Sequence, residues 1–232
     1  MYIFNPEHDL CLANGDPHFV PPESALAFGR DCADLTRWMV GLDGAADEEA
    51  EIPLKILPWG WNFVLRKRLR KEGYPEKLLP DDGQIETIAE LSDRRFALDA
   101  LEYIHSNCHC GGNAPMTSPD YRTAATSVEE VEGFVSKHRN VVLKAPVSGS
   151  GKGIRWVADT LSHSDEGWCR NLILKHGCVI VEKRLTLQEE FAMLYRVTAD
   201  DVTFCGYSLF YTENGAYRGN ILASDGFIEQ RL

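Results

Sequence analysis

The sequence predicts an α/β fold, and three observations carry that prediction. Two short apolar runs, residues 2–4 and 54–57, each stop at a proline and lead within a few residues into a helix-like segment, the alternation expected of strands followed by helices. Further along, Val-Val-Leu-Lys144, a Gly/Ser loop at 148–153 and Ile154-Arg-Trp-Val157 read strand, loop, strand. Residues 190–222 are strand-like, with 202–211 and 216–222 joined by Glu213-Asn214-Gly215, a strong hairpin signal.

The elements follow in order. Helices are expected over 23–40, 61–71, 83–91 (capped by Asp81 or Asp82) and 94–104, the last preceded by Ser92-Asp93. The acidic, Ala/Gly-rich stretch 43–51 reads as a solvated loop. Residues 107–120 hold two Gly, two Pro and several small polar residues, the composition of a linker, so a domain boundary is placed there. Ser127 followed by Glu130 is a capping-box pattern ahead of an amphipathic helix. That helix delivers the chain to a strand at 140–143. A second helix, 168–175, leads to the strand Cys178-Val-Ile-Val-Glu182, and Ser224-Asp225 begins a last helix.

Composition limits the function. With 35 acidic and 24 basic side chains the formal charge is −11, which disfavours nucleic acid and anionic membranes as partners. Seven Cys lack the regular spacing of a secreted disulfide scaffold, so reduced thiols in a cytoplasmic protein are expected. Neither a secretory n-region nor about 18 successive apolar residues occurs.

Chemistry concentrates between residues 141 and 191. The loop Ser148-Gly149-Ser150-Gly151-Lys152-Gly153 offers backbone N–H groups able to turn toward phosphate oxygens, with Lys144 before it. It is not a Walker A loop: Pro146 and Gly153 stand where Gly and Ser/Thr are required, and the loop joins two strands rather than opening a helix. Some thirty residues later the apolar strand runs into Glu182-Lys183-Arg184-Leu185, then Glu189-Glu190-Phe191. A strand edge can hydrogen-bond a nucleobase and a nearby carboxylate can hold ribose hydroxyls.

In this order of features the chain resembles the ATP-grasp superfamily over about residues 90–222: an apolar strand ending in Lys, a small-residue loop, a hinge strand ending in Glu-Lys, and a later Glu-Phe. The resemblance implies a Rossmann-like N-terminal domain (1–112), a small ATP-grasp subdomain (113–181) and the start of a large one (182–232), incomplete at the C-terminus. It implies that Lys144 contacts the α/β-phosphates of ATP and that Ser148, Gly149, Ser150, Gly151, Lys152 and Gly153 form a mobile loop over the β/γ-phosphates. Lys144 and Lys152 would carry the catalytic charge. Glu182, Lys183 and Leu185 would form the adenine hinge, and either Glu189 or Glu190 would hold the ribose. Arg95 would replace the Lys with which the family opens a helix ahead of the small subdomain. The implied reaction phosphorylates a carboxylate and passes the acylphosphate to an amine, with Mg²⁺ whose ligands are not identifiable in this chain. Asp225 and Glu229, at helical spacing after a Ser, read as a capped and solvated helix face.

Other groups admit plainer readings. Cys108-His109-Cys110 does not match structural zinc spacing and is read as loop. Asn5-Pro-Glu-His-Asp9 follows the first strand, where α/β folds bind ligands, or else caps a short helix. Pro58-Trp-Gly-Trp61 follows the second strand and is read as packing. No nucleophilic triad can be assembled from the spacing.

Overall fold

A computed structural model describes residues 1–39, 55–107, 119–149, 153–213 and 216–232. The acidic stretch 43–51, Cys108, His109, Cys110, the boundary near 112, Ser150, Gly151, Lys152, Asn214 and Gly215 lie outside these residues. The architecture is α/β: among the described residues the strands form a two-stranded, a four-stranded and a three-stranded sheet.

The first sheet pairs β1 (Tyr2–Ile3) in parallel with β2 (Leu57–Pro58). Pro58, expected to stop the strand, instead ends it inside the ladder. Leu57 N–H donates to Met1 O at 2.8 Å and Trp59 N–H to Ile3 O at 2.7 Å, so the missing N–H of Pro58 falls on the outer edge, where it costs no bond. Four helices follow these strands: α1 (His8–Asn14), α2 (Glu23–Asp31), α3 (Phe63–Lys71) and α4 (Asp82–Ser92). The helix expected over 23–40 is broken: Cys32 ends α2, and Ala33–Met39 continues as a 3-10 turn. Asn62 caps α3 by accepting from Leu65 N–H at 2.9 Å. Asp81 caps α4 in a reciprocal box with Gln84, and α5 (Arg94–Asn107) starts on Asp93.

The four-stranded sheet has the order β3 (Arg122–Ala125), β6 (Val179–Lys183), β4 (Val141–Lys144), β5 (Ile154–Val157), every neighbour antiparallel. The sequence reading did not anticipate β3, whose Arg-Thr-Ala-Ala has no apolar alternation of its own. Helices α6 (Val128–His138) and α7 (His163–His176) cover one face. Val141, Leu143, Val157, Val179 and Val181 bury themselves there against Val131, Val135 and Cys169. Because side chains alternate along a strand, Val142, Lys144, Trp156 and Glu182 face the other way, into a cleft.

Both helices start at serines, the first with half of the expected capping box and the second with a box that was not expected. Ser127 Oγ accepts from Glu130 N–H at 3.2 Å, but the Glu130 carboxylate accepts from Thr126 N–H at 2.7 Å and leaves the reciprocal half of the box unmade. The reciprocal box lies at α7 instead, where Ser162 and Asp165 cap each other. That cap starts α7 five residues before position 168; Asp rather than Glu or Gln at the third position hid it from the capping-box pattern.

The three-stranded sheet, β7 (Glu190–Val197), β8 (Val202–Glu213) and β9 (Ala216–Ile221), is an antiparallel meander. The 202–211 strand runs two residues longer than expected. Its register shifts where Leu194 faces Gly206 and Tyr195 faces Phe204, which leaves Cys205 bulged. Helix α8 (Asp225–Arg231), capped by Ser224, packs on β8 through the buried Ile228. No described helix is long and apolar enough to cross a membrane.

Candidate functional site

A cleft of about 740 Å³ opens between the four-stranded sheet and the start of the three-stranded one. Strand alternation puts Glu182, Val142 and Trp156 in one row across β6, β4 and β5, with Lys144 and Ile154 in the next. Lys144 Nζ donates to Glu182 Oε2 at 2.5 Å, and both side chains keep roughly a quarter of their surface exposed. A lysine ammonium has three donors, so this pair leaves Lys144 able to bind an anion while holding Glu182.

Beyond Glu182 the chain leaves the sheet through Lys183, Arg184 and Leu185, all lining the cleft. Lys183 Nζ sits 4.8 Å over the Tyr121 ring, and the Arg184 guanidinium 5.1 Å over the Trp156 ring. Arg184 N–H donates to Asn140 O at 2.7 Å. The far wall carries Glu190, which accepts from the Thr212 N–H at 3.1 Å and from its hydroxyl at 2.6 Å.

The glycine loop is tied at its base. Ala145 N–H donates to Gly153 O at 2.8 Å. Arg94 reaches in from the start of α5: Nη1 donates to Ala145 O at 2.5 Å and to Ser148 Oγ at 3.0 Å, Nη2 to Ser148 O at 3.0 Å, and the Arg94 N–H to Pro146 O at 2.9 Å. Burial lowers the Arg94 pKa from its ordinary value, while the charges of Glu182 and Asp9 act to raise it. A Cβ on Gly149 would collide with the Asp9 carboxylate as it stands, so glycine lets the two approach closely. A Cβ on Gly153 would likewise strike Ser148.

Lys144, Glu182, Lys183, Leu185 and Glu190 therefore line one cleft, with Ser148, Gly149 and Gly153 on the loop beside it. Arg95 and Glu189 do not join them. Arg95 folds back on Asp93 at 3.0 and 2.7 Å, and Glu189 pairs with Arg231 at 2.7 Å. In each case the adjacent residue, Arg94 or Glu190, takes the inward direction. Successive residues on a helix turn or a strand point differently, and only the partner at the back, Asp93 or Arg231, marks which one is turned away.

The N-terminal motif also reaches this region. Asn5 is buried and bonds Gly60 twice, Nδ2 to Gly60 O at 2.8 Å and Gly60 N–H to Asn5 Oδ1 at 3.3 Å. The His8 ring lies over Gly60, with Asn62 Nδ2 3.5 Å from its Nδ1. Burial lowers the His8 pKa against the opposing pull of Asp9. These bonds hold the Asn5–Asp9 motif, and Asp9 against the loop. Of the second motif, Trp61 packs on Ile56, Leu65 and Leu69, whereas Trp59 is largely exposed and meets Phe4 edge to face.

Four carboxylates of the cleft and of the C-terminal helix already have partners. Glu182 is paired with Lys144, Glu190 is held by Thr212, and Asp225 Oδ1 accepts from Tyr207 N–H at 3.0 Å. Glu229 bonds the Tyr207 side chain. Among the described residues no group of three or more His, Cys, Asp or Glu is arranged to hold a metal ion.

No family model matches the chain, and no curated protein matches it. Solved structures do. N5-carboxyaminoimidazole synthetase from Staphylococcus aureus, complexed with ADP, is 16% identical with a TM-score of 0.47 over 99% of this chain and 54% of its own. A biotin carboxylase from Campylobacter jejuni is 15% identical with a TM-score of 0.46, over 83% of this chain and 38% of its own. D-alanyl-alanine synthetase A from Vibrio cholerae is 13% identical with a TM-score of 0.43, over 79% and 59%. The chain thus spans about half the length of the first of these structures.

Proposed function

We propose that the cleft binds ATP and that the protein serves ATP-dependent joining of a carboxylate to an amine, both small molecules. The observation that carries this is the convergence of Lys144, Glu182, Lys183, Leu185 and Glu190 on one cleft beside a glycine loop. Lys144 and the loop residues, including Lys152, neutralise phosphate charge. Backbone groups around Glu182, Lys183 and Leu185 meet the base, and Glu190 rather than Glu189 meets the ribose. Arg94, not Arg95, fixes the loop's base. In the reaction a carboxylate oxygen attacks the γ-phosphorus and ADP leaves; the amine then attacks the acyl carbon, losing a proton and expelling phosphate. The chain's part is positioning and charge neutralisation.

On this reading residues 1–112 are the N-terminal domain, 113–181 the small ATP-grasp subdomain and 182–232 the start of the large one, and the protein works in the cytoplasm without nucleic acid or membrane partners. A narrower role, nucleotide binding without ligation, is favoured by one observation: Glu182, Glu190 and Asp225 are already engaged by Lys144, Thr212 and Tyr207.

Calorimetry tests the core of the proposal. ATP at a hundredfold excess over Kd stabilises the native state by about 2.7 kcal/mol. Lys144→Ala weakens binding by about 1.5–3 kcal/mol, the usual worth of a hydrogen bond to a charged group. Absence of heat and of thermal stabilisation at millimolar ATP sinks it.

A further inference from the structure

The aromatic wall of the cleft has a feature that the order of Lys, loop and Glu does not account for. Trp156 is 48% exposed on the cleft face of β5. Trp61 and Trp168 pack on apolar cores, Trp168 also beneath the Arg155 guanidinium, and Trp59 meets Phe4; Trp156 instead stands on the cleft face with the Arg184 guanidinium over its ring. Val142 and Ile154 continue the wall as an apolar floor. A large flat ring set in a concave, partly polar cleft is the usual partner for a flat ligand.

Arg184 is placed to act as its removable cover. Its backbone is fixed by the bond to Asn140 O, and Asn140 and the preceding Arg139 adopt positive φ of 41° and 47°. Neither residue is glycine, so the turn is strained and held there by its surroundings. The Arg184 side chain is long and the residue is exposed. A guanidinium is planar, delocalised and weakly hydrated, and so occupies a ring face much as a nucleobase does.

We propose that Trp156 is the base-stacking and specificity-determining residue of the cleft, and that the base of a purine nucleotide takes the place of the Arg184 guanidinium on the indole face. This rests on the ATP reading above. It adds that base choice comes largely from ring area: purines overlap the indole more than pyrimidines do, and ATP and GTP differ little through this contact.

The test titrates ATP, CTP and inorganic tripolyphosphate into the wild-type chain and into Trp156→Ala, Trp156→Phe and Arg184→Ala, following heat and tryptophan emission. Expected results are quenching by ATP in the wild type, weaker binding of ATP to Trp156→Ala by about five- to a hundredfold, and a loss within about threefold for Trp156→Phe, which keeps a stacking face. The preference for ATP over CTP narrows in Trp156→Ala, tripolyphosphate affinity stays level, and Arg184→Ala binds ATP within about threefold of wild type. Equal ATP affinity in wild type and Trp156→Ala overturns the inference and leaves the ATP reading standing. A parallel loss for tripolyphosphate makes the ring merely structural, and a loss in Arg184→Ala as large as in Trp156→Ala overturns the exchange. A wild type that binds neither ATP nor tripolyphosphate removes both proposals.

Discussion

The two sheets that flank the cleft are built by opposite means. In the four-stranded sheet Val141, Leu143, Val179 and Val181 have no exposed surface, and α6 and α7 seal one face while the other lines the cleft. In the three-stranded sheet β7 exposes Phe191, Met193, Leu194, Tyr195 and Val197, and Leu209 is the fully buried large side chain of β8. Both sheets are paired strand to strand along their ladders, so the larger difference lies in apolar burial, the dominant favourable term in folding. A rigid wall carrying Lys144 and Glu182 thus faces a weakly packed one carrying Glu190. Regions with few buried apolar contacts open at lower free energy, so closure of the cleft on a ligand is expected to move the second wall rather than the first.

Thiol reactivity gives the largest contrast. Burial pushes the Cys169 thiol, between α7 and the sheet, up to about 11, and does the same for Cys11. At pH 8 a thiol of that pKa is about 0.1% thiolate, whereas Cys205 is exposed on the bulge of β8. Mass spectrometry after brief alkylation is expected to find Cys205 modified and Cys169 and Cys11 untouched until denaturant is added. Native labelling of Cys169 at the rate of Cys205 would dissolve the contrast between the sheets.

Leu143→Ala, in the sealed sheet, is expected to cost about 2–5 kcal/mol in denaturant unfolding, through lost transfer energy and the cavity left behind. A cost below 1 kcal/mol would mean that this core is far looser than its burial implies.

A smaller effect lies at the start of α7. Ser162→Ala removes the cap and is expected to cost about 0.5–2 kcal/mol at neutral pH. Burial pushes its partner Asp165 up, but hydrogen bonds from Ser162 and Arg155 outweigh it and hold the carboxylate below its ordinary range. A group with a depressed folded pKa contributes stability above its unfolded value, near 3.9, and loses it as pH falls through the folded one. The stability gap between wild type and Asp165→Asn is therefore expected to shrink below about pH 4; a gap that is constant from pH 7 to 3 would remove Asp165 from the account.

The smallest effect is expected from Leu194→Ala on the exposed face of β7, within about 0.5 kcal/mol of wild type, as for surface substitutions generally. A loss comparable to that of Leu143→Ala would show that β7 is covered in solution, and measurement of mass by light scattering would then say whether a second copy covers it.

Local signals in the chain accounted for much of the fold. Ser127 and Ser224 cap the helices they precede, and Asn5-Pro6 ends the first strand before a helix. The apolar strands on either side of the glycine loop form neighbours in one sheet. Each of these depends on residues within about four positions of one another, or on a period-two pattern that buries one face. The order Lys144, loop, Glu182 was legible for the same reason, since it is carried by strand ends.

What the tertiary structure decided was direction and distant company. Arg94 rather than Arg95 grips the loop, and Glu190 rather than Glu189 faces the cleft, because Asp93 and Arg231 hold the neighbours away. Arg122–Ala125 became a strand because β6 presented an open edge, and Asp9 met Gly149 across 140 positions because Asn5 and Gly60 bond to each other beneath it. Local sequence determines which turns and strands form at small cost in chain entropy; which of two adjacent side chains faces a site is set by contacts that exist only after distant segments have packed.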